Sequence, residues 1–271
     1  MQRTERMLFR SNFLRRYLEI APAALAIERT LECEILSSCR FDRPILDVGC
    51  GDGVFAAILC GERIDTGIDS SAAEIERAKR HNCYNELIVC SGASVPKPDG
   101  TYRTIFSNSV LEHIPDIKPV LRELRRLLAT GGRLYVTIPT DWWEKSVFPA
   151  RVLHAVGLHE LGERYARFYN RFWHQYHALP ETCWTALFAE AGFTVRAAQH
   201  YAPPNMTSLL DILTPAAGPA MVSKRLLGRW IALPHLRKTL IPILYPVIAA
   251  LTAFCRRQSG GTLLFLALSP S

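Results

Sequence analysis

One stretch of the chain constrains its fold more than any other. In ILDVGCGDGVF, residues 45–55, a short apolar run ends in a loop with three glycines and continues as an apolar helix pattern. Glycines at the passage from a strand to a helix let the backbone approach a ligand closely. The stretch therefore predicts a strand, a ligand-binding loop and a helix, in that order.

Two acids accompany this loop. Asp47 lies at the end of the otherwise apolar strand, where a carboxylate suits a cationic ligand better than a pyrophosphate. Asp69 follows the next predicted strand, twenty residues after Gly49, and a carboxylate there can accept hydrogen bonds from both hydroxyls of a ribose. Together they indicate a ligand that is a nucleoside with a positive charge.

Strand and helix patterns alternate along the first half of the chain, which predicts βαβ units and a parallel sheet covered on both faces. The predicted strands are residues 44–48, 64–68, 87–90, 104–107 and 133–138, then 193–198 and 262–268. The predicted helices are residues 54–59, 72–81 (with Ser70 or Ser71 as N-cap), 117–128 (ended by Gly131 and Gly132) and 181–191.

Three further segments flank or interrupt this core, which is predicted to span residues 41–202. Helical periodicity from Leu8 to residue 37, divided at Pro22, predicts an N-terminal helical cap over residues 1–40. The aromatic segment 141–178 is too long for a loop and is predicted to form a helical lid. An apolar and basic helical insertion, 203–261, precedes the last strand of the core, 262–271.

The motifs resemble those of class I S-adenosylmethionine-dependent methyltransferases, in the branch with the ubiquinone and small-molecule enzymes. They are D-x-G-x-G-x-G from Asp47, the acid at Asp69, and PDGTYRTIFSNSVLEHIPD, residues 98–116. The resemblance covers residues 41–140 and, through FAEAGF, 178–200. It implies a Rossmann-like, doubly wound α/β fold whose mostly parallel seven-stranded sheet has an antiparallel last strand. It also implies that S-adenosylmethionine is the cofactor and S-adenosylhomocysteine the product.

The same resemblance implies which residues hold the cofactor. These are Asp47, Gly49, Cys50, Gly51, Gly53, Asp69, Ser70, Ser91, Gly92, Asn108 and Ser109. Ser91 stands where the family commonly has an acid for the adenine amino group. Ser109 stands where some quinone methyltransferases have an additional acid that completes a metal site, so we expect no catalytic metal.

Histidines are the candidates for catalysis, because an oxygen acceptor must lose a proton and imidazole titrates near neutral pH. His113, just beyond the fourth strand, is the first candidate; His174 and His177, on the segment expected to cover the acceptor, are the second pair. The predicted reaction is methyl transfer, by O-methylation, to a small, hydrophobic or lipid- or glycan-linked acceptor. Methylation of a protein or nucleic acid, and noncatalytic cofactor binding, are the alternatives.

Composition limits the remaining functions. The formal net charge is +7, and basic residues such as Arg3 crowd the two ends, which suits an acidic surface such as phospholipid. No nucleic-acid-binding motif accompanies this charge, so no nucleic-acid partner is expected. Eight cysteines without metal-ligand spacing and the lack of a secretory pattern predict a reduced, cytoplasmic protein.

The most apolar run is TLIPILYPVIAALTAF, residues 239–254. It is shorter than the ~20 residues of a spanning helix, and Pro242 and Pro246 disturb it. A single span would also leave the last strand on the far side of the bilayer. Three hypotheses remain for the placement of this run: an interfacial helix at a membrane surface, a re-entrant hairpin with residues 209–233, and a buried cap or homodimer contact. The buried cap is favoured over membrane contact.

Overall fold

The computed structural model describes residues 6–271; Arg3 and the start of the predicted cap, residues 1–5, lie outside this range. Seven strands form one sheet in the order β3-β2-β1-β4-β5-β7-β6. The strands are β1 Ile45–Val48, β2 Ile64–Asp69, β3 Tyr84–Val89, β4 Tyr102–Asn108, β5 Leu128–Pro139, β6 Phe193–Tyr201 and β7 Leu263–Pro270. Only β7 runs antiparallel to its neighbours, β5 and β6, which confirms the predicted fold class.

Twelve α-helices lie within residues 6–271. They are α1 Phe13–Ile20, α2 Ala23–Ser38, α3 Val54–Leu59, α4 Ala72–Lys79, α5 Lys118–Leu127, α6 Trp142–Lys145, α7 Phe148–Ala155, α8 His159–Phe172, α9 Glu181–Glu190, α10 Pro204–Leu213, α11 Gly218–Leu227 and α12 Pro234–Cys255. Helix α4 begins at the Ser71 N-cap, whose hydroxyl accepts a hydrogen bond from the Glu74 N–H. Helices α6 to α8 come from the aromatic segment, and α10 to α12 from the insertion between β6 and β7.

The sheet divides the core into two apolar clusters, because successive strand side chains point to opposite faces. On β1, Ile45 belongs to the cluster that includes α1 and α2, whereas Leu46 belongs to the cluster with α5 and α9. Tyr135 and Val136 alternate in the same way on β5. Both faces are thus buried, which explains why these strands read as continuous apolar runs.

Several boundaries differ from the predicted ones, and two of these differences have a clear structural reason. Leu8 is not helical: residues 7–12 run alongside the core, where the Met7 N–H donates to the Phe41 carbonyl, and helix α1 begins at Phe13. Gly131 and Gly132 do not end a helix either, since α5 ends at Leu127. The glycines lie in β5, at a bulge where the register against β4 shifts. They are among the extra residues of β5 that have no partner in β4 at this bulge.

The apolar run belongs to a longer helix than predicted. Helix α12 has 22 residues, and both Pro242 and Pro246 lie inside it on exposed positions, where the carbonyls that lose their helical partners can meet water. It is the one helix among residues 6–271 that is long and apolar enough to cross a membrane by length and composition. Only 22% of its most apolar window is buried, so the favoured prediction of a buried cap is wrong.

Candidate active site

The glycine loop, residues 49–53, lies at the carboxyl edge of the sheet between β1 and α3. Gly49 has a φ of +76°, and a Cβ there would lie 2.5 Å from the Val110 side chain. This position therefore requires glycine, both for its left-handed backbone and for the close approach of the loop that follows β4. Gly53 packs against α4 instead, since a Cβ would meet the backbone of Ala78 at 3.0 Å.

Asp69, at the end of β2, fixes the glycine loop from the neighbouring strand. One carboxylate oxygen accepts from the Gly51 N–H at 3.0 Å, and the other accepts from the Ser71 N–H at 2.8 Å. Each oxygen keeps a second lone pair for an additional donor. The carboxylate is thus held by the backbone N–H groups of Gly51 and Ser71 at a cavity wall, where it can accept a hydrogen bond from a hydroxyl of a bound ligand.

Asp47 is the buried acid of the site. Only 3% of its surface is exposed, and the Tyr84 hydroxyl donates to one of its oxygens at 2.6 Å. Burial raises the pKa of Asp47 to about 7. A cation in the adjoining cavity would favour the charged form of this carboxyl.

Asn108 and Ser109, which end β4, are held by an acid from the N-terminal cap. Both Asn108 Nδ2 (2.8 Å) and Ser109 Oγ (2.6 Å) donate to the fully buried carboxylate of Glu32, which also pairs with Arg29 at 2.7 Å. The Asn108 amide oxygen accepts from the Thr137 hydroxyl at 2.8 Å. These side chains therefore form a buried network that fixes the end of β4, and sequence reasoning missed Glu32 and Arg29.

The first cavity, here called the glycine-loop cavity, extends over about 220 Å³. Its lining residues are Tyr17, Leu25, Arg29, Asp47, Gly49, Cys50, Gly51, Asp52, Val54, Phe55, Glu74, Asn108, Ser109, Val110, Lys224 and Trp230. Six of the predicted cofactor residues meet here. The buried hydroxyl of Tyr17 has no hydrogen-bond partner among residues 6–271, so it is free for a ligand.

A second cavity lies on the other side of Gly49 and is called the ribose-side cavity. It is lined by Val48, Gly49, Ile68, Asp69, Ser70, Cys90, Gly92, Ser109, Val110, His113 and Ile114. Three of the predicted cofactor residues, Asp69, Ser70 and Gly92, thus line the same cavity. Ser91 does not line it: the side chain is exposed, and its hydroxyl accepts from the Ala93 N–H.

The third cavity, the aromatic cavity, has a volume of about 300 Å³. It is lined by Pro22, Ala24, Leu25, Glu28, Arg29, Ser109, Glu112, His113, Trp143, Tyr169, Trp173, Gln175, Leu210, Thr214, Ala217, Met221 and Trp230. Its walls come from the cap, the aromatic segment and the insertion. Because Arg29, Ser109 and Trp230 line both this cavity and the glycine-loop cavity, the two spaces adjoin.

Three buried polar atoms in the walls of the aromatic cavity have no hydrogen-bond partner among residues 6–271. They are Glu112 Oε2, Trp143 Nε1 and Gln175 Oε1. Unpartnered buried polar atoms are costly, so their presence in lining residues makes this cavity a candidate place for a ligand that supplies the partners. Burial raises the pKa of Glu112 to about 8, so this carboxyl is largely protonated at neutral pH.

His113 lies where the aromatic and ribose-side cavities meet. Its Nδ1 is 3.1 Å from the His174 carbonyl; because a carbonyl only accepts, Nδ1 carries the proton and Nε2 keeps its lone pair. Burial lowers the pKa of His113, which keeps the imidazole neutral at pH 7. Nε2 lies 3.8 Å from Glu112 Oε1, so the His113 imidazole and the Glu112 carboxyl are adjacent.

The other two predicted histidines do not line either cavity. The His174 side chain is exposed, and only its backbone carbonyl takes part in the site. The His177 imidazole lies 2.9 Å from the Ile114 carbonyl and packs edge-on against Trp184, so it ties the aromatic segment to the core. Aromatic and histidine content alone could not separate these packing residues from His113, because only the fold shows which imidazole faces a cavity.

Curated proteins match part of the chain. A ubiquinone biosynthesis O-methyltransferase of Pectobacterium carotovorum is 30% identical over 104 residues, which cover 35% of this chain and 42% of that protein. A malonyl-[acyl-carrier protein] O-methyltransferase of Legionella pneumophila is 28% identical over 136 residues, or 45% of this chain and 48% of that protein. The chain thus spans less than half the length of these two relatives.

Solved structures share the fold over most of the chain. A SAM-dependent methyltransferase of Thermotoga maritima, described as a possible histamine N-methyltransferase, has a TM-score of 0.56 at 15% identity, covering 91% of this chain and 93% of the other. Geranyl diphosphate C-methyltransferase of Streptomyces coelicolor has a TM-score of 0.54 at 13% identity, with coverages of 89% and 76%.

The family assignment rests on a longer match. The model of the methyltransferase domain family matches residues 14–198, from helix α1 to strand β6. This span contains the glycine loop, Asp69 and the end of β4. The chain therefore belongs to the methyltransferase domain family and has the class I fold of S-adenosylmethionine-dependent methyltransferases.

Proposed function

We propose that this chain transfers a methyl group from S-adenosylmethionine to a hydroxyl oxygen of a small, largely apolar molecule. The observation that carries the proposal is the aromatic cavity, which adjoins the glycine-loop cavity at Ser109 and Arg29. A cofactor in one space and an acceptor in the other would meet at this junction. Alignment of the two and exclusion of water are the main sources of rate in such a displacement.

The residues of the glycine-loop and ribose-side cavities fit the cofactor. Asp69 can accept ribose hydroxyls, Asp47 can stabilise a positive charge, and the unpartnered Tyr17 hydroxyl can donate to a carboxylate. Gly49 leaves room where any side chain would collide with Val110. When bound, S-adenosylmethionine supplies a methyl group on a sulfonium centre.

The polar atoms of the aromatic cavity favour a hydroxyl acceptor. Gln175 Oε1 needs a donor and Trp143 Nε1 needs an acceptor, and a hydroxyl provides both. His113 Nε2 has the free lone pair that can take the hydroxyl proton as the new oxygen–carbon bond forms. The rings of Trp143, Tyr169 and Trp173 suit a flat or apolar body.

The O-methyltransferase names of the two curated relatives agree with oxygen as the acceptor atom. Partners beyond the acceptor are proposals as well. Residues 203–260 offer exposed apolar surface to a membrane or to a second copy of the chain. All eight cysteines are free, which supports a reducing cytoplasmic location.

Calorimetry with S-adenosylhomocysteine, followed by a methyl-transfer screen on phenolic and aliphatic alcohols, tests this function. We expect micromolar cofactor binding and transfer to one class of hydroxyl. His113→Asn should lower kcat by about 10²- to 10⁴-fold, the usual contribution of a general base, with cofactor affinity unchanged. His174→Asn is the matched control, since its side chain is exposed outside the cavity.

Absence of binding by either cofactor form would refute the enzyme assignment. Full activity of the His113→Asn variant would refute only the base. Transfer to amines but not to hydroxyls would refute oxygen as the acceptor atom while leaving the methyltransferase activity intact.

A further inference from the structure

Helix α12 carries a continuous apolar stripe that faces away from the protein. The stripe consists of Leu236, Leu240, Ile243, Val247, Leu251 and Phe254, which are 40% to 67% exposed. Their spacing of three or four residues places them along one side of the helix, over a length of about 30 Å. A neighbouring side, about 100° around the helix, is buried against the protein through Ile241, Ile248 and Cys255. No other described element, within residues 6–271, covers the stripe.

The net charge of the chain lies in the segment that contains this stripe. Residues 212–271 contain seven lysines and arginines and no aspartate or glutamate, so they carry the entire formal charge of +7. The rest of the chain is neutral, with 25 basic and 25 acidic residues. Arg225, Lys238 and Arg257 are exposed and have no ion pair or side-chain hydrogen bond among residues 6–271, so their charges are free for a partner.

We propose that the α12 stripe lies flat on an anionic phospholipid surface, with the free basic side chains of residues 212–271 contacting the head groups. An exposed apolar face bordered by basic residues is the pattern of an interfacial helix. A second copy of the chain is a poorer occupant, because a symmetric contact through α12 would bring together two copies of the acid-free, positively charged segment 212–271.

The fold also limits how far α12 can enter the bilayer. After α12 the chain returns to the sheet as β7, which lies between β5 and β6 and pairs with both. The helix ends must therefore lie on the same side of the bilayer as the sheet. On the protein side, Arg237 donates to the Leu18 and Ala21 carbonyls and holds α12 against the end of α1. The helix is thus docked on the protein and presents its stripe outward.

The insertion that carries the α12 stripe also lines the acceptor site. Met221 in α11 lines the aromatic cavity and is also 42% exposed, so the rim of this cavity belongs to the same insertion. Its neighbours Val222 and Leu226 are 57% and 76% exposed. An apolar acceptor dissolved in the bilayer would then reach the cavity over this rim. This consequence rests on the proposed function, whereas the docking itself does not.

Flotation of the full chain with phosphatidylcholine vesicles, with and without 30 mol% phosphatidylglycerol, tests the docking directly. We expect the wild type to float with the anionic vesicles, and 0.5 M salt to weaken this at least several-fold because the head-group contacts are screened. The variant Ile243→Glu/Val247→Glu should lower the vesicle-bound fraction at least tenfold. Both positions are more than half exposed, so the substitutions leave the core intact.

Val156→Glu is the control, because Val156 is 64% exposed and lies on the aromatic segment, outside residues 203–261. It should float like the wild type. Calorimetry with S-adenosylhomocysteine should give the same affinity for all three proteins, which separates loss of docking from loss of folding or function. Failure of the wild type to float, or equal flotation of the double variant, overturns the proposal. So does a dimer in sedimentation equilibrium that disappears in Ile243→Glu/Val247→Glu, since the stripe would then be covered by a second copy.

Discussion

The indole N–H of Trp230 donates to Asp52 Oδ2 at 3.2 Å, although the two residues are 178 positions apart in sequence. Lys224 strengthens this contact: its ammonium lies 3.0 Å from the same oxygen and 4.6 Å from the centre of the Trp230 ring. The insertion therefore holds the glycine loop from outside the sheet. Asp52 belongs to the glycine loop, and its carboxylate joins two distant parts of the chain.

Replacing Trp230 by Phe should weaken cofactor binding. The ring that lines the glycine-loop cavity is kept, but the hydrogen bond that steadies Asp52 is lost. We expect the Kd for S-adenosylhomocysteine, measured by calorimetry, to rise about 3- to 10-fold, in line with a partly exposed hydrogen bond to a charged group. Trp142→Phe is the control, because Trp142 is 59% exposed and lines neither cavity. An unchanged Kd for Trp230→Phe would show that the contact does not support the loop.

Asp69→Asn should lower cofactor affinity at least tenfold. The substitution removes the charge and turns one of the oxygens that hold the Gly51 and Ser71 N–H groups into a donor. Asp65→Asn, at the start of the same strand, is the matched control: Asp65 pairs with Arg43 and accepts from the Ile45 N–H at the opposite edge of the sheet. It should reduce stability without changing affinity. Equal affinity of Asp69→Asn and wild type would refute the ribose role.

Glu32→Gln should destabilise the fold by about 3–5 kcal/mol, the cost of removing one partner of a buried ion pair. The amide cannot accept from Arg29, Asn108 and Ser109 together, so at least one buried group is left without a partner. Urea denaturation measures the free energy of unfolding. Glu34→Gln breaks the exposed pair with Arg256 and should cost less than about 1 kcal/mol. Similar losses for the two variants would mean that the buried network contributes no special stability.

Glu112 should make the protein less stable as pH rises from about 4.5 to about 8. Burial raises its pKa to about 8 from an ordinary value of 4.5, so within this window the folded state binds a proton that the unfolded state has lost. Stability from this group is therefore complete below pH 4.5 and is lost as pH rises through 8, by up to about 1.4 kcal/mol per pH unit. Asp47, with a pKa raised to about 7, acts in the same direction.

The variant Glu112→Gln isolates this contribution. It has no titrating group at the position, so its free energy of unfolding should fall less steeply between pH 5 and 8. The difference between variant and wild type should be small at pH 5 and should grow in favour of the variant at pH 8. Parallel stability curves for the two proteins would show that Glu112 titrates normally.

The sequence by itself determined the sheet and the cofactor edge. The central strands contain short apolar runs and the crossover helices have a 3.6-residue period, so local patterns were sufficient to predict the order of elements. The positions of the glycine loop and Asp69 at the ends of adjacent strands could also be predicted, because glycine spacing and strand ends are local features; their roles in cofactor binding stay predictions. These patterns involve residues close together in the chain, so they can be recognised without the tertiary structure.

Tertiary structure alone decided which polar groups meet across the chain. Glu32 lies on an N-terminal helix and Trp230 in the insertion, and neither carries a motif that would relate it to Asn108 or Asp52. It also separated His113, at a cavity, from His177, which ties the aromatic segment to the core. Only the tertiary structure shows that the α12 stripe is exposed, since an apolar run of this length is compatible with a buried helix and with a surface helix. Burial and long-range contact depend on how the whole chain packs, and no local pattern records them.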